Sequence, residues 1–213
     1  MQRKKKFCAC IFAVLLAQAA CLPVAFADDG KHWADETFAS LLESRTVLPG
    51  EFGRADYDIS ITRGRFTEVF VRLLEADGPT GGGAHFTDVE EGSEHYLSSA
   101  KAKIAGLVSG HADGTFRPDA EMQRQEMFAV VGRLFAAAGA DLPGGEGIRF
   151  TDGPAIAPYA ADAVRRLAAA GIIKGYEDGT VKPGAPVSCA EAMAVVLRVK
   201  AALDEAAADA GVT

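Results

Sequence analysis

Apolar residues between positions 159 and 168 recur at the spacing of one face of an α-helix. They are Tyr159, Ala163, Val164, Leu167 and Ala168. Gly171 follows as a typical helix end, and a second apolar run begins after the segment Ser188-Cys189-Ala190-Glu191. Ser188 and Glu191 have the spacing of a capping box, in which each side chain accepts a hydrogen bond from a backbone N–H group at the start of a helix. The pattern therefore predicts two helices joined by a loop.

The same pattern occurs earlier in the chain. The loop Gly175 to Pro183 resembles the segment Gly110 to Pro118, and the glutamates that follow them, Glu191 and Glu126, lie 65 residues apart. A third and more eroded copy is found within residues 47–65. Because a recurring period of this size is typical of repeat proteins, the sequence predicts three structural repeats.

Each repeat is predicted to be a helix, a loop and a helix. One such unit has an apolar face on both helices and nothing of its own to cover them, so the units must pack on one another. We expect second-helix residues such as Val69, Val130 and Val195 to face a shared centre in a mainly α fold. The periodicity does not decide between a closed ring and an open solenoid. The predicted repeats and a frayed or disordered tail occupy residues 28–78, 84–139, 148–203 and 204–213.

Residues 1–27 have the pattern of a secretory signal peptide. Four basic residues precede the apolar run Phe7 to Ala20, which is shorter than the about 20 residues of a membrane-spanning helix. We expect cleavage after Ala27, with Ala19 as an alternative site and lipidation at Cys21 as a further alternative. The mature protein is therefore expected to be extracellular and to have no membrane span.

Composition narrows the class of partner. Removing residues 1–27 takes away four basic residues and no acidic one, so the net charge changes from −7 to −11. An acidic chain of this kind is not expected to bind nucleic acid or an anionic membrane. Cys189 is the one cysteine beyond residue 27, so the mature chain has no intramolecular disulfide and must be stabilised by its core.

Two arginines fall in an unusual place. Arg63 and Arg124 each follow the predicted N-cap position of a second helix, where a cation opposes the helix dipole at a cost of about 0.3–1 kcal/mol. Helix starts also carry unpaired backbone N–H groups that favour an anion. An external carboxylate or phosphate would explain both features, because a guanidinium can bind it with two hydrogen bonds. An internal carboxylate from a neighbouring repeat is the alternative, and the sequence leaves both open.

These segments together are similar to a known family. The motifs Phe86-Thr87-Asp88, Phe150-Thr151-Asp152, His32-Trp33-Ala34, Asp113 to Pro118 and Ile61-Thr62-Arg63 resemble S-layer homology (SLH) repeats. The resemblance extends over about residues 28–200 in three copies. It implies a pseudo-threefold domain around a central helix bundle. It also implies binding of secondary cell wall polysaccharide, often with pyruvylated sugars, in grooves between repeats, and no catalysis.

The resemblance assigns the main ligand contacts position by position. The anion-binding arginine of the family corresponds to Arg63 in the first copy and Arg124 in the second, whereas the third copy has Cys189. Its aromatic residue corresponds to Trp33 in the first copy and Tyr159 in the third. On this basis at most two of the three grooves are expected to bind ligand.

The remaining predicted ligand-binding residues lie in the loops and at the openings of the repeats. Gly110 and Gly175 hold the glycine that precedes each loop, and Asp88 and Asp152 belong to the opening motifs. The second copy is out of register at the aromatic position, where His95-Tyr96 is the expected substitute.

No metal, cofactor or catalytic residue is predicted. The four histidines lack the spacing of a metal cluster, and Ser188 is explained as a helix cap rather than a nucleophile. The competing hypothesis is a protein-binding module that assembles surface-layer proteins and has degenerate glycan grooves. Cell wall polysaccharide and other surface-layer proteins are therefore the expected partners.

Overall fold

The computed structural model describes residues 30–74, 85–142, 148–209 and 211. The predicted signal peptide at residues 1–27 and its cleavage sites lie outside this part of the chain. So does most of the glycine-rich linker that joins the first two predicted repeats.

The described residues fold into helices joined by loops. Within these ranges the β-structure consists of three isolated bridges, and no β-sheet is formed. The prediction of a mainly α fold is confirmed. None of the helices in the ranges described is long and apolar enough to cross a bilayer. The α-helices are α1 (Asp35–Glu43), α2 (Arg63–Leu73), α3 (Tyr96–Ile104), α4 (Arg124–Ala137), α5 (Pro158–Ala169) and α6 (Cys189–Asp209), and short 3-10 helices occupy Arg54–Asp56 and Gly153–Ala155.

Each repeat contributes one outer and one inner helix, as the apolar pattern predicts. The inner helices are α2, α4 and α6, and α6 contacts both of the others. Val69, Val130 and Val195 on these helices are buried, as expected. Each outer helix packs on the inner helix of the preceding repeat: α3 on α2, α5 on α4, and α1 on α6. The last contact joins the first repeat to the third.

Main-chain hydrogen bonds close the three repeats into a ring. The N–H group of Ile61 donates to the carbonyl of Val187 (2.9 Å), that of Val187 to Met122 (3.0 Å), and that of Met122 back to Ile61 (3.0 Å). The three residues occupy the same place in their repeats, immediately before the N-cap of the inner helix. The structure therefore excludes the open solenoid that the sequence allowed.

The capping box predicted at the start of α6 is present. Ser188 Oγ accepts from the Glu191 N–H (3.2 Å), and Glu191 Oε2 accepts from the Ser188 N–H (3.2 Å). In α2, Thr62 Oγ1 accepts from the Arg65 N–H (3.3 Å). In α4, Glu126 Oε2 accepts from the Gln123 N–H (3.1 Å).

Helix α6 continues to Asp209, so it includes residues 204–209 of the predicted frayed or disordered tail. Ala202 and Leu203 are partly buried against the core, and Lys200 Nζ pairs with Asp204 Oδ2 at 2.8 Å, one helical turn away. These contacts extend the helix beyond the last fully buried residue, Val199.

Candidate ligand-binding interfaces

Loop carbonyls of the following repeat cover the start of each inner helix. The N–H groups of Arg63 and Gly64 donate to the carbonyls of Ala120 (2.9 Å) and Pro118 (2.8 Å). The expectation that the helix starts offer unpaired N–H groups to an anion is therefore wrong. Ring closure brings the neighbouring loop over these groups, and the sequence pattern of one repeat does not reveal that contact.

The same arrangement recurs at the other two helix starts. In α4, the N–H groups of Arg124 and Gln125 donate to Ala185 (2.9 Å) and Pro183 (3.0 Å). In α6, the N–H group of Cys189 donates to Ile59 (2.9 Å), in the loop that follows the first outer helix. The three junctions between repeats 1 and 2, 2 and 3, and 3 and 1 are named interfaces A, B and C.

Each of the two predicted ligand-binding arginines has an internal partner. At interface A, Arg63 Nη1 lies 3.0 Å from Glu126 Oε1, and Arg63 Nε donates to the carbonyl of Phe116 (3.0 Å). At interface B, Arg124 Nη1 lies 3.1 Å from Glu191 Oε1, and Arg124 Nε donates to the carbonyl of Val181 (2.8 Å). Of the two explanations left open by the sequence, the internal carboxylate is thus present.

Both arginine side chains are largely buried, with exposed fractions of 11% for Arg63 and 10% for Arg124. Their carboxylate partners are more accessible, at 25% for Glu126 and 31% for Glu191. Within the part of the chain that is described, the Nη2 atom of neither arginine makes a hydrogen bond. One edge of each guanidinium is therefore left for another acceptor.

An exposed aromatic ring lies close to interface A. Tyr159 lies in the first turn of α5, which packs on α4, and 55% of its surface is exposed. Desolvation and the Glu126 carboxylate raise the pKa of the Tyr159 hydroxyl, while Arg63 and Arg133 oppose the shift. Tyr159 of the third repeat thus lies within electrostatic range of the ion pair between repeats 1 and 2.

Trp33 is the equivalent of Tyr159 in the first repeat, and the repeat register assigns it to interface B. Each outer helix ends two residues before a left-handed residue, at Arg45 (φ 57°), Gly106 (φ 71°) and Gly171 (φ 69°). Counting back 12 residues from each gives Trp33, Glu94 and Tyr159. Trp33 precedes α1, which packs on α6, and 61% of its surface is exposed.

The second repeat therefore has Glu94, and not His95-Tyr96, at the aromatic position. His95 instead packs against α2, where its ring covers Gly64 and its Nδ1 lies 2.8 Å from Glu68 Oε1. A Cβ atom on Gly64 would lie 2.7 Å from three atoms of the His95 ring, so glycine is needed for this contact.

The predicted loop residues stabilise the loops. Asp88 accepts hydrogen bonds from the N–H groups of Phe116 and Arg117, both at 2.7 Å. Asp152 likewise accepts from Val181 (2.9 Å) and Lys182 (2.8 Å). Burial raises the pKa of Asp88, but its backbone hydrogen bonds outweigh that effect and the net pKa is lowered. These carboxylates hold the loops that supply the carbonyl partners of Arg63 and Arg124.

Gly110 and Gly175 allow the same loops to form. Gly110 has φ 73° and Gly175 has φ 74°. A Cβ atom on Gly110 would meet the ring of Phe86 and lie 2.8 Å from the Thr115 carbonyl oxygen. Phe150 and Thr180 surround Gly175 in the same way. Both positions therefore require glycine, because the backbone has a positive φ angle and a Cβ atom would clash with its neighbours.

Tyr176 is a member of interface B that the sequence reasoning missed. Its hydroxyl donates to Glu191 Oε1 (2.7 Å), and its ring lies 4.8 Å from Arg124 Cζ and 3.9 Å from Lys182 Nζ. Burial and the hydrogen bond to Glu191 raise the pKa of the hydroxyl to about 12, so it remains protonated. The sequence did contain a signal for this role, because Tyr176 directly follows Gly175 at the start of the repeated loop.

Interface C has a different pair of residues. Cys189 stands where the other interfaces have arginine, and Arg65 stands where they have glutamate. Arg65 Nη2 donates to the Glu51 carbonyl (2.7 Å), and its guanidinium lies 5.0 Å from the Phe52 ring. Burial raises the pKa of the Cys189 thiol to about 11, and the nearby Arg65 charge only partly offsets this effect.

Comparison with known proteins agrees with this arrangement. Residues 85–128 and 149–193 each match the family model of the S-layer homology domain. These two segments are S-layer homology (SLH) segments. The two matched segments contain the loops and inner-helix starts of repeats 2 and 3. Both SLH matches therefore include residues of interfaces A and B.

Relatives of this chain are much longer proteins. It is 31% identical to a cellulosome-anchoring protein of Acetivibrio thermocellus over 65% of its own length and 32% of the relative. It is 29% identical to cell surface glycoprotein 1 of the same organism over 65% of its length and 6% of the relative. It is 27% identical to an amylopullulanase of Thermoanaerobacterium thermosulfurigenes over 80% of its length and 9% of the relative. The chain thus spans less than a third of each.

Proposed function

We propose that this chain is a non-catalytic anchoring module that binds acidic, pyruvylated cell wall polysaccharide at interfaces A and B. The observation that carries the proposal is the combination found at both. Each has a guanidinium with an unbonded Nη2 edge, and the repeat register assigns each an exposed aromatic ring at the start of an outer helix. A pyruvyl carboxylate can accept from the guanidinium, while the apolar face of the sugar stacks on the ring.

The internal glutamates limit the strength of this binding. Glu126 and Glu191 already offset the arginine charges, and the chain as a whole is acidic. The ligand carboxylate must therefore be held by short-range contacts, since fields between exposed charges are screened beyond about 8 Å at physiological salt. We expect modest affinity that falls as the salt concentration rises.

The names of the relatives support an anchoring role outside the cell. Two are a cellulosome-anchoring protein and a cell surface glycoprotein, and the matching segment is only a small part of each. The predicted signal peptide at residues 1–27 supplies the route of export. The amylopullulanase matches over 9% of its length, so its name assigns no reaction to the present chain.

Sedimentation of the protein with Gram-positive cell walls, before and after removal of their secondary polymer, tests the proposal. We expect the protein to sediment with native walls and to remain in solution with stripped walls. The double variant Trp33→Ala/Tyr159→Ala should lose most of the binding, because both rings are exposed and their removal leaves the core intact. Leu97→Ala, which removes an exposed apolar residue from α3, is the matched control and should bind normally.

The protein-binding hypothesis makes a different prediction in the same experiment. Leu97 and Ile104 are exposed one heptad apart on α3, a face that suits a protein partner better than a polysaccharide. Binding that survives stripping of the polymer and is lost in Leu97→Ala would overturn polysaccharide anchoring in favour of that alternative.

A further inference from the structure

Among the differences between the equivalent loops of interfaces A and B is the residue that follows the first glycine. His111 and Tyr176 both follow the left-handed glycine. Their N–H groups donate to Thr115 and Thr180, each at 2.8 Å, and their carbonyls each accept a hydrogen bond at 3.0 Å from the glycine three residues later. The backbone therefore presents the imidazole of His111 at the place where interface B has the phenol of Tyr176.

The phenol of Tyr176 reaches the ion pair of interface B. Glu191 Oε1 accepts from both Arg124 Nη1 (3.1 Å) and the Tyr176 hydroxyl (2.7 Å). Glu191 Oε2 accepts from the Ser188 N–H (3.2 Å). The carboxylate charge is thus distributed over three donors, only one of which is the arginine.

The imidazole of His111 does not supply an equivalent bond at interface A. Glu126 Oε1 accepts from Arg63 Nη1 (3.0 Å) and Oε2 from the Gln123 N–H (3.1 Å), and no third donor is present among the described residues. His111 Nε2 is buried and has no hydrogen-bond partner in this part of the chain. An unpaired buried nitrogen of this kind is rare in folded proteins.

The cations beside the two loops also differ. At interface B, Lys182 Nζ lies 3.9 Å above the Tyr176 ring and 3.9 Å from Asp178 Oδ2. At interface A, the corresponding residue Arg117 pairs closely with Asp113 through Nη2 and Oδ2 at 2.9 Å. Lys182 is therefore less closely paired with the aspartate of its own loop than Arg117 is.

We infer that the two interfaces have unequal affinity for the acidic polysaccharide, that interface B is the stronger site, and that His111 is the positioning residue that weakens interface A. The inference rests on the proposed function. Arg63 is the only side-chain donor to Glu126 among the described residues, so Glu126 competes with a ligand carboxylate for that guanidinium. Glu191 is held in addition by Tyr176, so Arg124 is freer to turn its charge towards a ligand.

Isothermal titration with a methyl glycoside of a 4,6-O-pyruvylated hexosamine tests this inference. Trp33→Ala removes the aromatic contact of interface B and leaves interface A to be measured, and Tyr159→Ala does the reverse. We expect the Tyr159→Ala protein to bind more tightly than the Trp33→Ala protein. In the Trp33→Ala background, His111→Tyr should tighten binding roughly 2- to 10-fold, the value of one hydrogen bond. In the Tyr159→Ala background, Tyr176→Phe should weaken binding by a similar factor.

The same glycoside without its pyruvyl group separates positioning from general packing. A change that acts through the carboxylates alters binding of the pyruvylated probe alone, whereas a change in packing alters both probes alike. The inference is overturned, with the proposed function intact, when the wild-type protein binds the pyruvylated probe and the two substitutions leave its affinity unchanged. Failure of the wild-type protein to bind the pyruvylated probe overturns the proposed function, and this inference with it.

Discussion

At interface C, the positive charge of Arg65 acts on the buried thiol of Cys189. Both residues differ from their equivalents at interfaces A and B. Interfaces A and B each have an arginine on one repeat and a glutamate on the next, whereas interface C has a thiol opposite an arginine. If position 189 were arginine while position 65 kept its arginine, two guanidinium groups would lie side by side and repel each other. This repulsion explains why both positions differ from those of interfaces A and B.

Restoring the common pair at interface C should therefore show strong coupling. Cys189→Arg alone is expected to destabilise the fold because it places two guanidinium groups together in a largely buried interface. The double variant Cys189→Arg/Arg65→Glu should recover about 1–3 kcal/mol relative to the sum of the single effects. Urea unfolding of the four proteins measures the coupling. Additive effects within about 0.5 kcal/mol would show that the two residues do not interact.

Gly110 should tolerate alanine much less well than Gly106. Both have left-handed φ angles, 73° and 71°, so each substitution costs about 1–2 kcal/mol for the backbone alone. A Cβ atom at Gly106 meets nothing within 4 Å, whereas one at Gly110 meets the Phe86 ring and the Thr115 carbonyl. We expect Gly110→Ala to cost a further ~1–3 kcal/mol of unfolding free energy. Equal losses in the two variants would mean that the contact with Phe86 is unimportant.

Asp88 should make the fold sensitive to acid. Its pKa is lowered in the folded protein, so the ionised carboxylate contributes stability that is present above the ordinary aspartate range. That contribution is lost as the pH falls through the lowered pKa. Asp88→Asn should therefore be less stable than the wild type at pH 7, by about 1 kcal/mol or less because the carboxylate is exposed to solvent, with a difference that shrinks at low pH.

Chemical denaturation between pH 3 and pH 7 measures the effect of Asp88→Asn. Asp119→Asn, at an exposed position of the loop that Asp88 holds, is the matched control and should change stability little. A stability loss in Asp88→Asn that is constant over the whole pH range would contradict the role assigned to the carboxylate.

Cys189 should be unreactive in the folded protein. Its thiol is buried and its pKa is raised to about 11, so only about one molecule in a thousand carries the thiolate at pH 8. Iodoacetamide should leave Cys189 unmodified in native buffer and alkylate it in guanidinium chloride, as followed by peptide mass spectrometry. Ser109→Cys provides an exposed thiol for comparison. If Cys189 in the native protein were labelled as fast as the thiol introduced at position 109, Cys189 could not be buried.

The sequence predicted the features that arise within one repeat. Helix starts and ends follow from capping residues and from glycine, so Ser188, Glu191 and Gly171 located the elements correctly. The inward position of Val69 also followed from the apolar spacing. Local chemistry of this kind is written in consecutive residues and can be interpreted from a single chain.

Contacts between repeats were harder to predict. Glu126 lies in the first turn of its own helix, where one of its oxygens accepts from the Gln123 N–H group. Its other oxygen pairs with Arg63, which lies 63 residues earlier in the chain. Nothing in the spacing of one repeat reveals that partner, because it depends on the ring closing.

The ring has a consequence for how such a molecule can change over time. Ile61, Met122 and Val187 each donate to one neighbour and accept from the other, so every repeat is a member of two junctions. Deleting any repeat would disrupt two junctions at once and expose the apolar helix faces of both neighbouring repeats to solvent. Single substitutions within a repeat leave these main-chain hydrogen bonds in place. The first repeat can therefore lose its sequence motif, but the fold still requires that repeat to complete the ring.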